Sequence, residues 1–595
     1  MFSSFLPMRP WRLSLALAAC LGLAACAPLP TKDTPGAVLA QAGKDAAATA
    51  PDPDKPTVKL PGQDLTGGVL YQLILAEIAL RRGQPGVALA AYADLAQSTR
   101  DPRIVRRAVE LAAMGRQAQL ELDLARLWVQ LEPESVRARQ MLVAGLASVG
   151  RIDEAEPHIA FLLKKDPGHV GAMLMRLARS VAQDPRRKEL AAMLDRLSAE
   201  HTNLPEAHFV RAYAALSEGK HERAMEEAEK ARAQRPDWEP AALLQAQLLQ
   251  EKGGMPAAMK FLGEFLQKYP KARDARMQYA RALVSEKKLP EAREQFRILD
   301  EATPGNAEIV HALALLSVQM GDMDEAERRF KALLESGDGN PNTLRLALGQ
   351  IAETRKKPEE ALKWYEEVTP GAQYLEARIK AAFVISRQKD LEAGLAYLKA
   401  LRGEGADERV QILLAQSQML RGAKREKDAF LVLNKGLESM PDQADLLYES
   451  ALMAEKVGHF ELLEPRLRKL IKLKPDFAHA YNALGYSLAD RGERLKEAET
   501  LIRKALELAP EDPFILDSLG WVLYRKGELE PARLALEQAL AKRSDPEIIA
   551  HLGEVLWQSG KREEATRLWR EAAKAAPDNQ PLADTMKKFL GQDKP

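Results

Sequence analysis

Four alanines, Ala224, Ala258, Ala292 and Ala326, stand 34 residues apart, and Pro236, Pro270 and Pro304 repeat the interval. Pro133 with Pro167, and Pro441 with Pro475, carry it toward both ends of the chain. A fixed period of this size governs the fold. Each unit is one supersecondary element that can bury its apolar face only by stacking on its neighbours. Twelve positions before those alanines stands another small residue, at Ala212, Ala246, Ala280 and Ala314. The pair returns as Gly349 with Ala361, Ala381 with Ala393, Gly520 with Ala532 and Gly553 with Ala565. A turn glycine lies between the two, among them Gly83, Gly115, Gly150, Gly219, Gly253, Gly321, Gly527 and Gly560. At 595 residues the chain is well past the size at which one hydrophobic core stops growing, about 300 residues. Aromatics make up only 6% of it, and the abundant residues are the helix formers Ala, Leu, Glu, Lys and Arg.

This pattern resembles the tetratricopeptide repeat. The resemblance implies two antiparallel helices per unit, with small residues where the backbones cross closely. The mid-unit glycine is expected to end the first helix as a left-handed cap. The proline near the unit's end breaks the chain into the next hairpin. A large residue follows on the second helix, as at Tyr92, Leu262, Phe296, Phe330, Tyr365, Tyr397, Leu536 and Trp569. The expected fold is an all-α solenoid, a right-handed superhelix of about fifteen hairpins between Val69 and Pro577. Segment 169–200 lacks the glycine and the small pair, and a break near 169–204 or 400–410 could divide the array. The expected divisions are 1–25 signal, 26–68 lipidated Cys and tether, 69–204 degenerate hairpins, 205–441 central array, 442–577 C-terminal array and 578–595 cap.

Arg9 and Arg12 precede an apolar stretch from Leu13 to Leu23, too short to span a bilayer, as in a secretory signal. Leu23-Ala24-Ala25-Cys26 resembles the bacterial lipobox, and Leu17-Ala18-Ala19-Cys20 matches the same pattern. Cleavage before Cys20 leaves an apolar region of only seven residues, so Cys26 is the favoured lipidation site. An ordinary secretory signal cut among the small residues is the alternative. By the lipoprotein sorting rule, Ala27 rather than Asp after the Cys implies the outer membrane, with the body in the periplasm. Residues 27–64 are rich in Pro, Ala, Thr and Asp and poor in large apolar groups, the composition of a disordered tether. As a coil they reach roughly 30–40 Å, and about 130 Å pulled straight.

Chemistry has few candidates. Cys20 and Cys26 are the only cysteines, which leaves the body no disulfide, Cys-ligated metal or thiol nucleophile. The nine histidines are scattered without metal-ligand spacing, and neither a Gly-x-Ser-x-Gly elbow nor a P-loop is present. Gly403-Glu404-Gly405 and Gly337-Asp338-Gly339 read as linkers between hairpins. With 86 basic against 85 acidic residues, the charge balance argues against a nucleic-acid partner. The reading is a binding scaffold: no enzyme, no cofactor, no metal.

Family resemblance turns the second, fifth, ninth and twelfth positions of each first helix toward the concave surface. In the last three units these are His479, Asn482 and Tyr486; Phe514, Asp517, Trp521 and Tyr524; and Glu554 and Trp557. Rigid rings with a few polar groups suit a protein-binding groove. Packing between repeats is the competing role for Trp521 and Trp557. Asn482 and Asp517 are expected to be exposed, and so to discriminate between the two.

The last three units carry a narrower resemblance. Asn482-Ala483-Leu484-Gly485-Tyr486, Leu488-Ala489-Asp490-Arg491, Asp517-Ser518-Leu519-Gly520-Trp521-Val522 and His551-Leu552-Gly553-Glu554-Val555-Leu556-Trp557 are similar to the LbcA-type lipoproteins. These are outer-membrane adaptors of Gram-negative bacteria. They bind a periplasmic carboxyl-terminal processing protease and promote degradation of peptidoglycan hydrolases. The resemblance implies the same partners here. The departures are the weak unit at 169–200 and poor motif agreement before 205. A structural or assembly lipoprotein of a pilus, exopolysaccharide or outer-membrane protein machine is the second hypothesis. No heptad seam argues for self-association, and the residues do not fix the oligomeric state.

Overall fold

The computed structural model describes Gly62 and residues 65–182 and 187–591. The expected signal, both cysteines and nearly all of the tether lie outside the described residues. Every regular element among the described residues is helical. The first hairpins pair α1 (Gly67–Arg81) with α2 (Pro85–Thr99), α3 (Pro102–Met114) with α4 (Ala118–Leu131), and α5 (Val136–Ser148) with α6 (Glu156–Lys165). They continue as α7 (Val170–Ala182) with α8 (Arg187–Ala199), and α9 (Pro205–Ser217) with α10 (His221–Gln234). α11 (Glu239–Lys268) supplies both arms of its own hairpin, because Gly254 at φ 75°, ψ 178° breaks it in the middle.

Next come α12 (Arg273–Ser285) with α13 (Leu289–Ala302), α14 (Ala307–Gln319) with α15 (Met323–Ser336), and α16 (Pro341–Thr354) with α17 (Pro358–Glu366). α18 (Tyr374–Gln388) joins α19 (Leu391–Ala400), α20 (Ala406–Gly422) joins α21 (Glu426–Ser439), and α22 (Ala444–Lys456) joins α23 (Phe460–Leu473). The last are α24 (Ala478–Arg491) with α25 (Leu495–Leu508), α26 (Pro513–Arg525) with α27 (Leu529–Lys542), and α28 (Pro546–Gln558) with α29 (Arg562–Ala575). The last described helix is α30 (Gln580–Leu590), which packs against α28 and α29. Among the described residues there are fifteen hairpins. They form two compact units, one ending at Ile309 and one beginning at Val310.

The repeat signature is the packing code. Gly553 and Trp569 show why one partner must be small: a Cβ on Gly553 would lie 2.0 Å from the indole Nε1. Trp569, Phe296, Phe330 and Tyr365 are sealed at 0–1% exposure, and Tyr397 is half-buried. Glycines 83, 150, 219, 321, 527 and 560 take the left-handed turn at φ 69–86°. Gly115 and Gly253 do not; Arg116 (φ 53°) and Gly254 take it one position later. Where the turn holds no glycine, Lys287, Lys356 and Lys424 adopt φ 57–59°. These turns thus take a left-handed residue even where a side chain makes it cost about 1–2 kcal/mol. The turn between α18 and α19 does without one, with Lys389 at φ −102° and Asp390 at φ −164°.

Segment 169–200 supplies two helices, α7 and α8, that pack together despite its weak signature. Val170, Leu174, Leu190, Met193 and Leu194 enter the same core cluster as Ala207 and Val210. Around 400–410 the core is likewise unbroken, running from Ile379 through Leu398 and Val410 to Ala454. Neighbouring repeats are also tied by capping: the Glu239 carboxylate accepts from the backbone N–H groups of Arg273, Asp274 and Ala275 at 2.7–3.2 Å. Those are orphan donors of the α12 N-terminus, filled from one repeat earlier.

Candidate functional site

α24 begins one residue after Phe477 and presents Asn482, Tyr486 and Asp490 at four-residue spacing, hence on one face. α26 starts from an Asp512 cap whose carboxylate accepts from the N–H groups of Phe514 and Ile515 at 2.8 and 3.2 Å. That cap fixes the register placing Asp517, Trp521 and Tyr524 together. α28 starts in the same way from Asp545, which accepts from the Glu547 N–H at 3.0 Å. The close helix crossings at Gly485, Gly520 and Gly553 hold these three first helices against their own second helices.

The centre of the face is a polar-aromatic cluster. His551 Nδ1 donates to the Asp517 carboxylate at 2.9 and 3.1 Å. Trp521 stacks on the imidazole at 4.3 Å between centroids, and its Nε1 donates to Asp490 at 3.3 Å. Tyr524 lies 5.2 Å from Trp521, and Tyr486 lies 6.3 Å from His551. Burial opposes charge on His551, but the Asp517 carboxylate and its hydrogen bond, with Glu554 and Glu547 nearby, outweigh that and raise its pKa. Burial also lifts Glu547, Glu449 and Glu455, although Arg421 sits 3.1 Å from Glu449 and the Ser487 hydroxyl donates to Glu455. Tyr486 is pushed well above its ordinary value, first by burial and then by the carboxylates of Asp490, Asp517, Glu547 and Glu455.

The nine sequence-selected residues divide. Tyr486, Asp517, Trp521 and Tyr524 come together, joined by His551. Phe514 sits under the Arg543 guanidinium at 4.9 Å, and His479 is exposed, 6.1 Å from the Phe477 ring. Glu554 is bound to Lys588 of α30 at 3.2 Å. Trp557 is taken up in packing, with its ring 5.9 Å from Trp569 and 5.8 Å from Phe589.

The expected exposure of Asn482 and Asp517 is corrected: they are 3% and 7% exposed. The reason for Asp517 is its partner, since His551 from the next repeat completes an ion pair that a lone unit cannot show. His551 was missing from the selected residues. Its signal in the sequence is slight: it stands 34 residues after Asp517, one more than the 33 that separate Gly520 from Gly553, and so one position off the equivalent of Asp517. The arrangement positions hydrogen-bonding groups and aromatic faces. Among the described residues no three His, Cys, Asp or Glu side chains gather to hold a metal.

Family models of the tetratricopeptide repeat match residues 249–316, 311–374 and 448–513. A stretch of 224 residues is 25% identical to cellulose synthase operon protein C of Pseudomonas fluorescens, covering 34% of this chain and 17% of that protein. A crystal structure of a thermophilic tetratricopeptide protein from Thermus thermophilus is 24% identical with a TM-score of 0.29, covering 30% of this chain and 98% of that one. A tetratricopeptide-repeat-containing protein of Pseudomonas aeruginosa is 32% identical over 476 residues, 80% of each chain. With that match and fifteen hairpins packed through the repeat signature, the chain belongs to the tetratricopeptide repeat proteins.

Proposed function

We propose that this protein is a non-enzymatic scaffold, lipid-anchored through Cys26 to the outer membrane, that binds a periplasmic carboxyl-terminal processing protease and brings peptidoglycan hydrolases to it. The observation that carries the reading is the cluster of Tyr486, Asp517, Trp521, Tyr524 and His551. It lies in the segment whose motifs resemble the protease adaptors, on a fold whose usual work is protein binding. The mechanism needs no chemistry from the scaffold. Holding two proteins on one tethered body raises their effective concentration, and the 38-residue tether lets the complex reach the cell wall.

The test uses the chain as bait in periplasmic extract, with retained proteins identified by mass spectrometry. Recovery of a carboxyl-terminal processing protease with cell-wall hydrolases supports the reading. A stoichiometric barrel or secretin complex in their place favours a structural lipoprotein, the second reading. That alternative draws on the 25% identity to part of a cellulose synthase operon protein. Cys26→Ala keeps binding in solution and weakens the effect in cells; normal function of that variant at native levels refutes the tethering.

A further inference from the structure

The face around Tyr486 holds more acceptors than the described chain satisfies. Asn482 is 3% exposed, yet its side-chain Oδ1 meets no donor, and Glu547 Oε1 is buried in the same condition. Asn482 stands one helical turn before Tyr486, so both side chains leave α24 on the same face. The Tyr486 ring in turn lies 6.3 Å from His551, which stands one helical turn after Glu547 on α28. The two unfilled acceptors thus border one patch, on which the carboxylates of Asp490, Asp517 and Glu455 also bear. The rings of Trp521 and Tyr524 border it.

Most nearby cations are already engaged. Arg421 holds Glu449, His551 holds Asp517, Lys588 holds Glu554, and the Arg525 guanidinium donates to the Asp490 backbone carbonyl. Arg491 lies over the Phe460 ring at 5.6 Å and 3.5 Å from Glu493, with its Nε meeting no acceptor. Lys456 is exposed, within electrostatic reach of Glu547 and Glu449 but without a hydrogen bond to Glu547 Oε1.

Unfilled acceptors beside aromatic faces complement an organic cation. An ammonium or guanidinium group supplies only donors, and the ring faces attract its charge. A bare metal ion fits poorly, because the carboxylates are spread along the helices rather than gathered. We propose that this face takes an extended protein segment that inserts a lysine or arginine side chain among Tyr486, Trp521, Asn482 and Glu547. The inference rests on the groove reading above and adds the chemistry of the segment the groove selects.

Fluorescence anisotropy on the full chain in detergent tests it, with labelled Gly-Ser peptides carrying two arginines, two glutamines or two glutamates. At near-physiological salt the arginine peptide binds about tenfold tighter than the other two. Glu547→Gln weakens it about fivefold, and Asp490→Asn, which keeps an acceptor for Trp521, weakens it as well. Glu563→Gln with Glu564→Gln, an exposed pair on α29, leaves it unchanged. Equal binding of the three peptides overturns the proposal. So does a loss in the α29 control as large as that in Glu547→Gln, which marks diffuse charge attraction. Should captured clients still bind this face while the arginine preference is absent, the groove reading stands and this inference falls.

Discussion

The hairpins 273–302 and 513–542 share a skeleton and differ in almost everything else. Ala280 with Ala292 and Gly520 with Ala532 are the same small pair, and Phe296 and Leu536 fill the same slot at 1% and 0% exposure. At the inward positions one hairpin offers Asp274, Met277, Arg281 and Val284, the other Phe514, Asp517, Trp521 and Tyr524. Arg281 pairs with Glu308 of the following repeat, whereas Trp521 stacks on the imidazole of its following repeat. The difference teaches where each kind of information resides. Skeleton positions set the fold and are interchangeable along the array, while inward positions set what a hairpin can hold.

Breaking the skeleton costs most, and equally in both places. Phe296→Ala and Leu536→Ala each destabilise their own unit by about 2–5 kcal/mol, the range for emptying a sealed core site. Chemical denaturation followed by circular dichroism checks this. A cost below about 1 kcal/mol in either hairpin shows that the slot is not equivalent.

Exchanging the small residues sharpens the comparison. A Cβ on Gly520 lies 2.5 Å from the Leu536 side chain and 3.1 Å from the Ala532 carbonyl, so Gly520→Ala costs about 1–3 kcal/mol through overpacking. Ala280→Gly costs about 0.5–1 kcal/mol through backbone freedom alone. Reversal of that order in equilibrium unfolding contradicts the packing assignment.

The third difference depends on pH. Because the folded pKa of His551 is raised, its pair with Asp517 contributes most below the unfolded histidine pKa of about 6.5. The contribution is lost as pH rises through the folded value. The unit from Val310 onward therefore melts about 2–4 °C lower at pH 9 than at pH 6 relative to His551→Gln, which lacks this dependence. Equal slopes in the two proteins refute the pair's role.

Surface ion pairs between repeats have the smallest effect. Glu464 is held at about 2, chiefly by its hydrogen bond from Arg494, which lies at 2.5 Å. The pair is largely solvated, so Arg494→Met costs about 0.5 kcal/mol in the same unfolding assay, and less in high salt.

The array was legible in the sequence because its signature is steric. Period, small pairs and sealed large residues all follow from how closely two helices can cross. The weak hairpin at 169–200 shows the limit: its core is built from Leu and Met at ordinary apolar spacing, without the glycine or small pair that would announce it. Tyr486, Asp517, Trp521 and Tyr524, selected from their register, do gather in one cluster. His551 was not among those selected, because it stands at a different position within its unit and only stacking brings it to Asp517. Trp557, for which packing was the competing role, lies against the rings of Trp569 and of Phe589 on α30, contacts that its position in the repeat alone does not announce.

The central claim, that partner binding belongs to the inward positions of the last hairpins, is tested most directly by photo-crosslinking. A photoreactive amino acid is placed at Tyr524 in one protein and at the equivalent Val284 in another, both half-buried, and each is irradiated in periplasmic extract. The account predicts discrete protein adducts from position 524 and none from 284. Adducts from 284 alone, or the same adducts from both, would contradict it.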